Sequence, residues 1–306
     1  MIKLLKNKKI FFVCFMLCSS LNAQEKQPYT KTEVFGVAFL KSMFPNVALN
    51  DASAAIKVYL GELQRNTMIG FELKPVMFED NEELLRSYSK ENMALVSISS
   101  VDFLLNRSRL AITPIMVNST KDSPYEEYIL VVKKNGRINS IADLAEQKIG
   151  MLSRNYNPLP HMWLEIQMQK NKVVSQDKNF AGISEGKSES QIIMSVFFGQ
   201  LNACLVTKNA FDLMAELNPQ IGMQMKVLAK SPGFVRSVSS FTNKFMKTTF
   251  HKNLEEGIWK VASYPAGRQL FTLMRTDKVI PYKEEYMDGV KNLLSEYKLL
   301  QKKTKN

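Results

Sequence analysis

Histidine is almost missing from this chain: 306 residues hold only His161 and His251. Cysteine is as scarce, with Cys14, Cys18 and Cys204. So few imidazoles and thiols leave little from which to build a metal centre or a nucleophile paired with a base. No zinc-ligand spacing and no phosphate-cradling Walker pattern occurs, so neither a metal nor a cofactor is implied. Basic residues never run five or six together, which argues against a nucleic-acid partner. Repeats of solenoid period and low-complexity segments are also missing. After the first two dozen residues, no apolar stretch approaches the ~20 residues that a spanning helix needs.

What is present begins with an export signal. Lys3, Lys6, Lys8 and Lys9 precede the apolar run from Ile10 to Leu17, and Leu21-Asn22-Ala23 offers a small residue for cleavage. A basic start, a short apolar stretch and a small-residue exit are the parts of a secretory signal, here residues 1–23. The apolar run is too short for an anchor. Val13 and Leu17 precede Cys14 and Cys18 where a lipoprotein signal needs a small residue, so lipidation is not expected. A freely diffusing periplasmic protein is the expectation. Removing the signal leaves Cys204 alone, in the apolar run Ala203-Cys204-Leu205-Val206, as a buried and inert thiol with no internal disulfide to form. The formal charge falls from +12 to +8, a surplus that suits an anionic ligand.

Along the mature chain strands alternate with helices. Residues 34–39, 71–78, 94–98 and 111–117 read as strands, with Pro75 placing the second near an edge. Ala55, Ile56, Tyr59, Leu60 and Leu63 repeat at helical spacing, and Leu84, Leu85 and Tyr88 lie on another helix. A polar stretch, residues 118–124, reads as a crossover, after which the alternation restarts. Strands are expected at 127–132, 148–152, 203–206 and 226–229, and helices at 140–144, 160–169, 188–198 and 211–217. One further strand is expected at 237–242. From about Thr248 the pattern is helical to the C terminus, ending in a frayed polar tail at 301–306. This order gives an α/β protein of two lobes, each a mixed, mostly parallel sheet flanked by helices, with a cleft between them for a small ligand.

Phe35-Gly36-Val37-Ala38-Phe39, Lys41-Ser42-Met43-Phe44-Pro45 and Val196-Phe197-Phe198-Gly199-Gln200-Leu201-Asn202-Ala203 resemble the substrate-binding components of phosphate/phosphite/phosphonate ABC importers. So do Thr207-Lys208-Asn209-Ala210-Phe211-Asp212, Met214-Ala215-Glu216-Leu217-Asn218-Pro219 and Pro265-Ala266-Gly267-Arg268-Gln269-Leu270. The motifs are individually of moderate specificity but run in order from about Val34 to Pro281. The resemblance implies a Venus-flytrap periplasmic binding protein with two crossover segments. Residues 30–122 and 235–306 would form the first lobe, and 123–234 the second. It also implies an inner-membrane ABC permease with its ATPase as partner; a monomer is expected.

In such sheets ligands lie beyond the carboxyl ends of strands, where helix N-termini offer free N–H groups and partial positive charge to an oxyanion. By resemblance the candidate ligand-binding residues are Ser99, Ser100, Asn155, Tyr156 and Asn157, followed by Ser42, Ser188 and His161. Ser and Asn at these positions equally suit helix caps. Glu185 and Glu189 could face an amino-bearing ligand, and Lys41 and Arg154 could add positive charge. No catalytic residue is assigned. The expected function is capture of a small oxyanion of the phosphate, phosphite or phosphonate class for an ABC importer. The alternatives are a receptor of the same fold for a sulfonate or vitamin precursor, a sensory binding protein reporting to a membrane kinase, and, least supported, an exported enzyme.

Overall fold

A computed structural model describes residues 33–44, 47–67, 70–88, 90–173 and 182–305. The expected signal peptide, with Cys14 and Cys18, lies outside the described residues.

The first half of the chain builds one sheet. β1 (Val34–Leu40) is buried beyond its first residue, as its apolar run requires of an inner strand. α1 (Leu49–Thr67) turns Ala52, Ile56, Tyr59, Leu60 and Leu63 onto that sheet, all of them buried. β2 (Glu72–Phe78) runs parallel to β1 at the sheet edge, where the missing N–H of Pro75 does least harm. α2 (Asn81–Ser87), capped by Asp80, leads to β3 (Met93–Ser99), which is buried throughout. α3 (Ser100–Asn106) and β4 (Ile112–Ser119) follow.

The chain then crosses to a second sheet through β5 (Tyr128–Lys133), β6 (Ile149–Met151), α4 (Pro158–Lys170), β7 (Ile183–Glu185) and α5 (Glu189–Phe197). β8 (Ala203–Thr207), α6 (Lys208–Leu217), α7 (Pro219–Gln224) and β9 (Met225–Lys230) complete it. It returns as β10 (Ser237–Thr242), α8 (Asn243–Met246), α9 (His251–Trp259), α10 (Pro265–Met274), β11 (Lys278–Pro281) and α11 (Asp288–Lys305).

The six-stranded sheet has the order β11-β4-β10-β3-β1-β2, and the five-stranded sheet β7-β6-β8-β5-β9. Both are mixed. β10 returns antiparallel between β3 and β4, and β5 lies antiparallel between β8 and β9. The other pairings, apart from the antiparallel edge strand β11, are parallel. One core cluster joins the first sheet to the α4 face of the second; a smaller one, with Ile192, Ile193, Val196 and Cys204, fills the α5–α6 face. Cys204 is fully buried and free, and burial pushes its thiol pKa up. No described helix is long and apolar enough to cross a membrane.

Four details differ from the sequence expectations. Residues 278–281 form edge strand β11 rather than helix, because Lys278-Val279-Ile280-Pro281 pairs with β4 and its proline closes the strand. β7 carries no apolar run; its three residues are held by pairing to β6. Ser140 caps a single 3₁₀ turn at Ile141–Leu144, not the opening of a longer helix. The polar tail is helical through Lys305 as the end of α11. That last helix packs against α4, where Lys170 pairs with Glu296 at 2.8 Å, whereas α9 and α10 pack on α1.

The two passages between the sheets are paired with each other. Glu126 N–H donates to the Phe234 carbonyl at 2.9 Å, and Phe234 N–H returns the bond at 3.0 Å. Gly233 makes this approach possible: a Cβ there would lie 2.7 Å from the Cβ of Tyr125, an atom that no rotamer change can move aside. Gly233→Ala is therefore expected to lower stability by about 1–3 kcal/mol, read as a reduced midpoint in denaturant unfolding.

Candidate ligand-binding cleft

The crossovers bring the carboxyl end of β4 and the start of β10 up to the mouths of β5, β6 and β8. Between them lies a cleft of ≈ 440 Å³. The first lobe lines it with Ser42, Thr120, Lys121, Arg236 and Arg275. Arg275 follows α10 in the left-handed conformation (φ 52°), and Lys121 shares that conformation (φ 49°). The turn after α10 holds the crossover: Asp277 accepts the Lys121 N–H at 2.7 Å, and Lys278 pairs with Asp122. Arg236 donates to the Met274 carbonyl, so its guanidinium is anchored at the end of α10, the helix that Arg275 follows.

The second lobe answers with helix N-termini. Asn157 caps α4, its Oδ1 accepting the Leu159 N–H at 3.1 Å, while its Nδ2 donates to the Tyr128 hydroxyl at 2.5 Å. That hydroxyl donates in turn to the Glu126 carboxylate, and burial with the Glu126 charge drives the phenol pKa well up. Thr207 caps α6 through the Ala210 N–H. Glu189, in the first turn of α5, accepts the Thr207 N–H at 2.6 Å and lies 3.8 Å from the Arg275 guanidinium. Burial raises the Glu189 pKa and the Glu126 charge adds to it; the Thr207 hydrogen bonds and Arg275 oppose the shift. An internal carboxylate thus occupies the N–H at the head of α6. Incoming negative charge is left to the arginines and the α4 end.

Of the residues singled out from sequence, Ser42, Tyr156 and Asn157 line this cleft. Asn155 lines an adjoining hollow of ≈ 630 Å³ with Lys41, Arg154, Glu185 and again Ser42 and Tyr156. There Lys41 pairs with Glu79 at 2.7 Å, and Arg154 pairs with Glu165 of α4 and donates to the Tyr297 hydroxyl at 3.4 Å. Ser99 and Ser100 line neither space. The Ser99 hydroxyl accepts the Asp102 N–H at 3.0 Å and donates to its carboxylate at 2.6 Å, so it serves as a cap. Ser100 is fully buried and its hydroxyl has no hydrogen-bond partner among the described residues. Ser188 caps α5 through the Gln191 N–H. His161 is buried, with Nε2 at 2.8 Å from the Leu152 carbonyl; the carbonyl can only accept, so Nε2 carries the proton.

Arg236, Arg275, Glu126 and Tyr128 are among the cleft residues that sequence reasoning missed. Each follows a loop or ends an element, without a motif to mark it. Residues 182–186, Gly-Ile-Ser-Glu-Gly, also carry the spacing of a hydrolase nucleophile elbow. The chemistry needs a sharp strand-to-helix turn there, but Ser184 sits exposed in the middle of edge strand β7. His161 and His251 bind the Leu152 and Thr248 carbonyls instead.

A two-lobe α/β receptor with an interlobe cleft is the class that this geometry defines. Residues 42–286 match the family of ABC transporter, phosphonate, periplasmic substrate-binding proteins, and the chain belongs to that family. Solved structures share the fold. XAC2383 from Xanthomonas citri bound to ATP is 12% identical with TM-score 0.64, over 89% of this chain and 99% of that one. The binding-protein component of an ABC phosphonate transporter from Pseudomonas aeruginosa is 13% identical, TM-score 0.59, over 87% of each chain. PhnD1 from Prochlorococcus marinus in complex with methylphosphonate is 15% identical, TM-score 0.58, over 85% of this chain and 97% of that one. No curated protein sequence matches the chain.

Burial holds the His161 pKa below 6.5, with the Arg154 charge acting the same way and the Leu152 carbonyl opposing. A depressed pKa means that the unfolded chain binds the proton more readily. The neutral ring therefore favours folding above about pH 6.5, and that contribution is lost as pH falls through the folded value. His161→Gln should flatten the loss of stability on acidification below about pH 6.5, measured as denaturant midpoints across that range.

Proposed function

We propose that the chain captures a phosphonate-class oxyanion in the cleft and delivers it to an inner-membrane ABC permease with its ATPase. The observation that carries this reading is the meeting, across one cleft, of Arg236 and Arg275 from the first lobe with the Asn157-capped end of α4 from the second. Guanidinium groups suit a tetrahedral oxyanion because their N–H donors are planar, fixed and always charged. Tyr156, Ser42 and Thr120 add neutral donors around it. Binding would draw the lobes together, since each supplies only part of the site. No catalytic step is assigned to the cleft; Tyr128 is engaged with Glu126 and Asn157.

The protein acts as a monomer in the periplasm after cleavage of residues 1–23, on this reading. Support comes from the basic start and short apolar run of that segment and from the family to which the chain belongs.

Arg236→Gln and Arg275→Gln should each weaken binding of methylphosphonate by about 1.5–3 kcal/mol, ten- to a hundredfold or more in Kd by calorimetry. Ser99→Ala should instead cost about 1 kcal/mol of stability as a lost cap. Unchanged affinity in both arginine variants would remove the cleft from the account. Sulfate and an alkylsulfonate in the same titrations separate phosphonate capture from sulfonate capture.

A further inference from the structure

We propose that the preferred ligand carries, beside its phosphorus oxyanion, an apolar substituent of several carbons, and that Leu213 on α6 selects for it. This rests on the reading of the cleft as an oxyanion site and specifies the other half of the ligand. The arginines and Lys121 account for one side of the space only. A cleft of ≈ 440 Å³ lies in the range of about 300–1,000 Å³ that holds organic ligands of drug size, larger than a bare tetrahedral anion requires.

Beside polar groups such as Asn209 and Thr207, the second lobe gives the wall an apolar stretch: Leu152, Pro160, Ala210 and Leu213. Leu152 and Ala210 are partly buried and pack on the smaller core cluster, which fixes them in place. Leu213 is 53% exposed, a large apolar side chain held open beside a cavity rather than packed away. An apolar surface presented within a concave site marks a ligand-binding groove.

Charge around this wall sharpens the class. Glu216 lies one helical turn beyond Leu213 and also lines the cleft. Glu189 lines it as well, bound to the Thr207 N–H ahead of α6. A second anionic group on the substituent would meet these carboxylates, so a polyanion fits poorly. The two ends of the ligand are thus read by different groups: the anion by the arginines and the α4 end, the carbon by Leu213 and Ala210 of α6 with Leu152 and Pro160.

Calorimetric titration of the purified protein with inorganic phosphate and with methyl-, ethyl-, propyl- and butylphosphonate tests this. Burying each added methylene is worth about 0.8 kcal/mol, so Kd should fall about fourfold per carbon along the series. In Leu213→Asp, a substitution at an exposed position, the fall should drop below about twofold per carbon. Methylphosphonate binding as tightly as butylphosphonate would overturn the inference and leave the oxyanion reading standing. A steep series that Leu213→Asp does not flatten would overturn the role of Leu213. Silence from every member, phosphate included, would overturn both readings.

Discussion

The short antiparallel pairing of Glu126 with Phe234 is the constraint on which the rest of the structure turns. It ties the two passages between sheets into one waist, two backbone hydrogen bonds wide. Two residues beyond Phe234 stands Arg236, and two beyond Glu126 stands Tyr128. Both line the cleft, so the bond that holds the lobes together also sets the spacing between basic and phenolic groups. Gly233 is required because the passages approach until Tyr125 leaves no room for a side chain. The turn after α10 braces the first passage through Asp277 and Lys278, which positions Arg275 from the same support.

From that frame the electrostatics follow. Three cations, Lys121, Arg236 and Arg275, enter the cleft from the first lobe. Glu126, Glu189 and Glu216 enter from the second, and the first two already have partners: Tyr128 for Glu126, the Thr207 N–H for Glu189. Buried carboxylates held this way avoid the full cost of desolvation. Arg275, at 3.8 Å from Glu189 and 40% exposed, is held loosely enough to turn to an incoming anion. At 3.8 Å the pair lacks the close contact of a charge-assisted hydrogen bond to ligand, worth about 1.5–3 kcal/mol.

The fold was largely legible in the sequence because buried strands and amphipathic helices write their periodicity plainly. Val34 to Phe39 and Ala94 to Ile98 are apolar for the same reason that β1 and β3 are central. β7 and β11 escaped because edge strands three or four residues long need little apolar surface of their own. The site was harder to read. Reasoning from strand ends pointed to the loop after β6 and to Ser42, which line the cleft, but it also gave weight to Ser99, whose hydroxyl is spent on Asp102. A serine before a helix looks the same in sequence whether it faces ligand or its own backbone. Arg236 and Arg275 reach the cleft through tertiary arrangement alone, one from a crossover and one from a left-handed helix end, and no local pattern announces either.

The most direct test of the account is a crystal structure of the protein with butylphosphonate bound. The phosphonate oxygens should lie about 3 Å from the guanidinium groups of Arg236 and Arg275, with the alkyl chain against Leu213. Oxygens bound instead by Ser99 and Ser100, with Arg236 still on the Met274 carbonyl and Arg275 still facing Glu189, would contradict it.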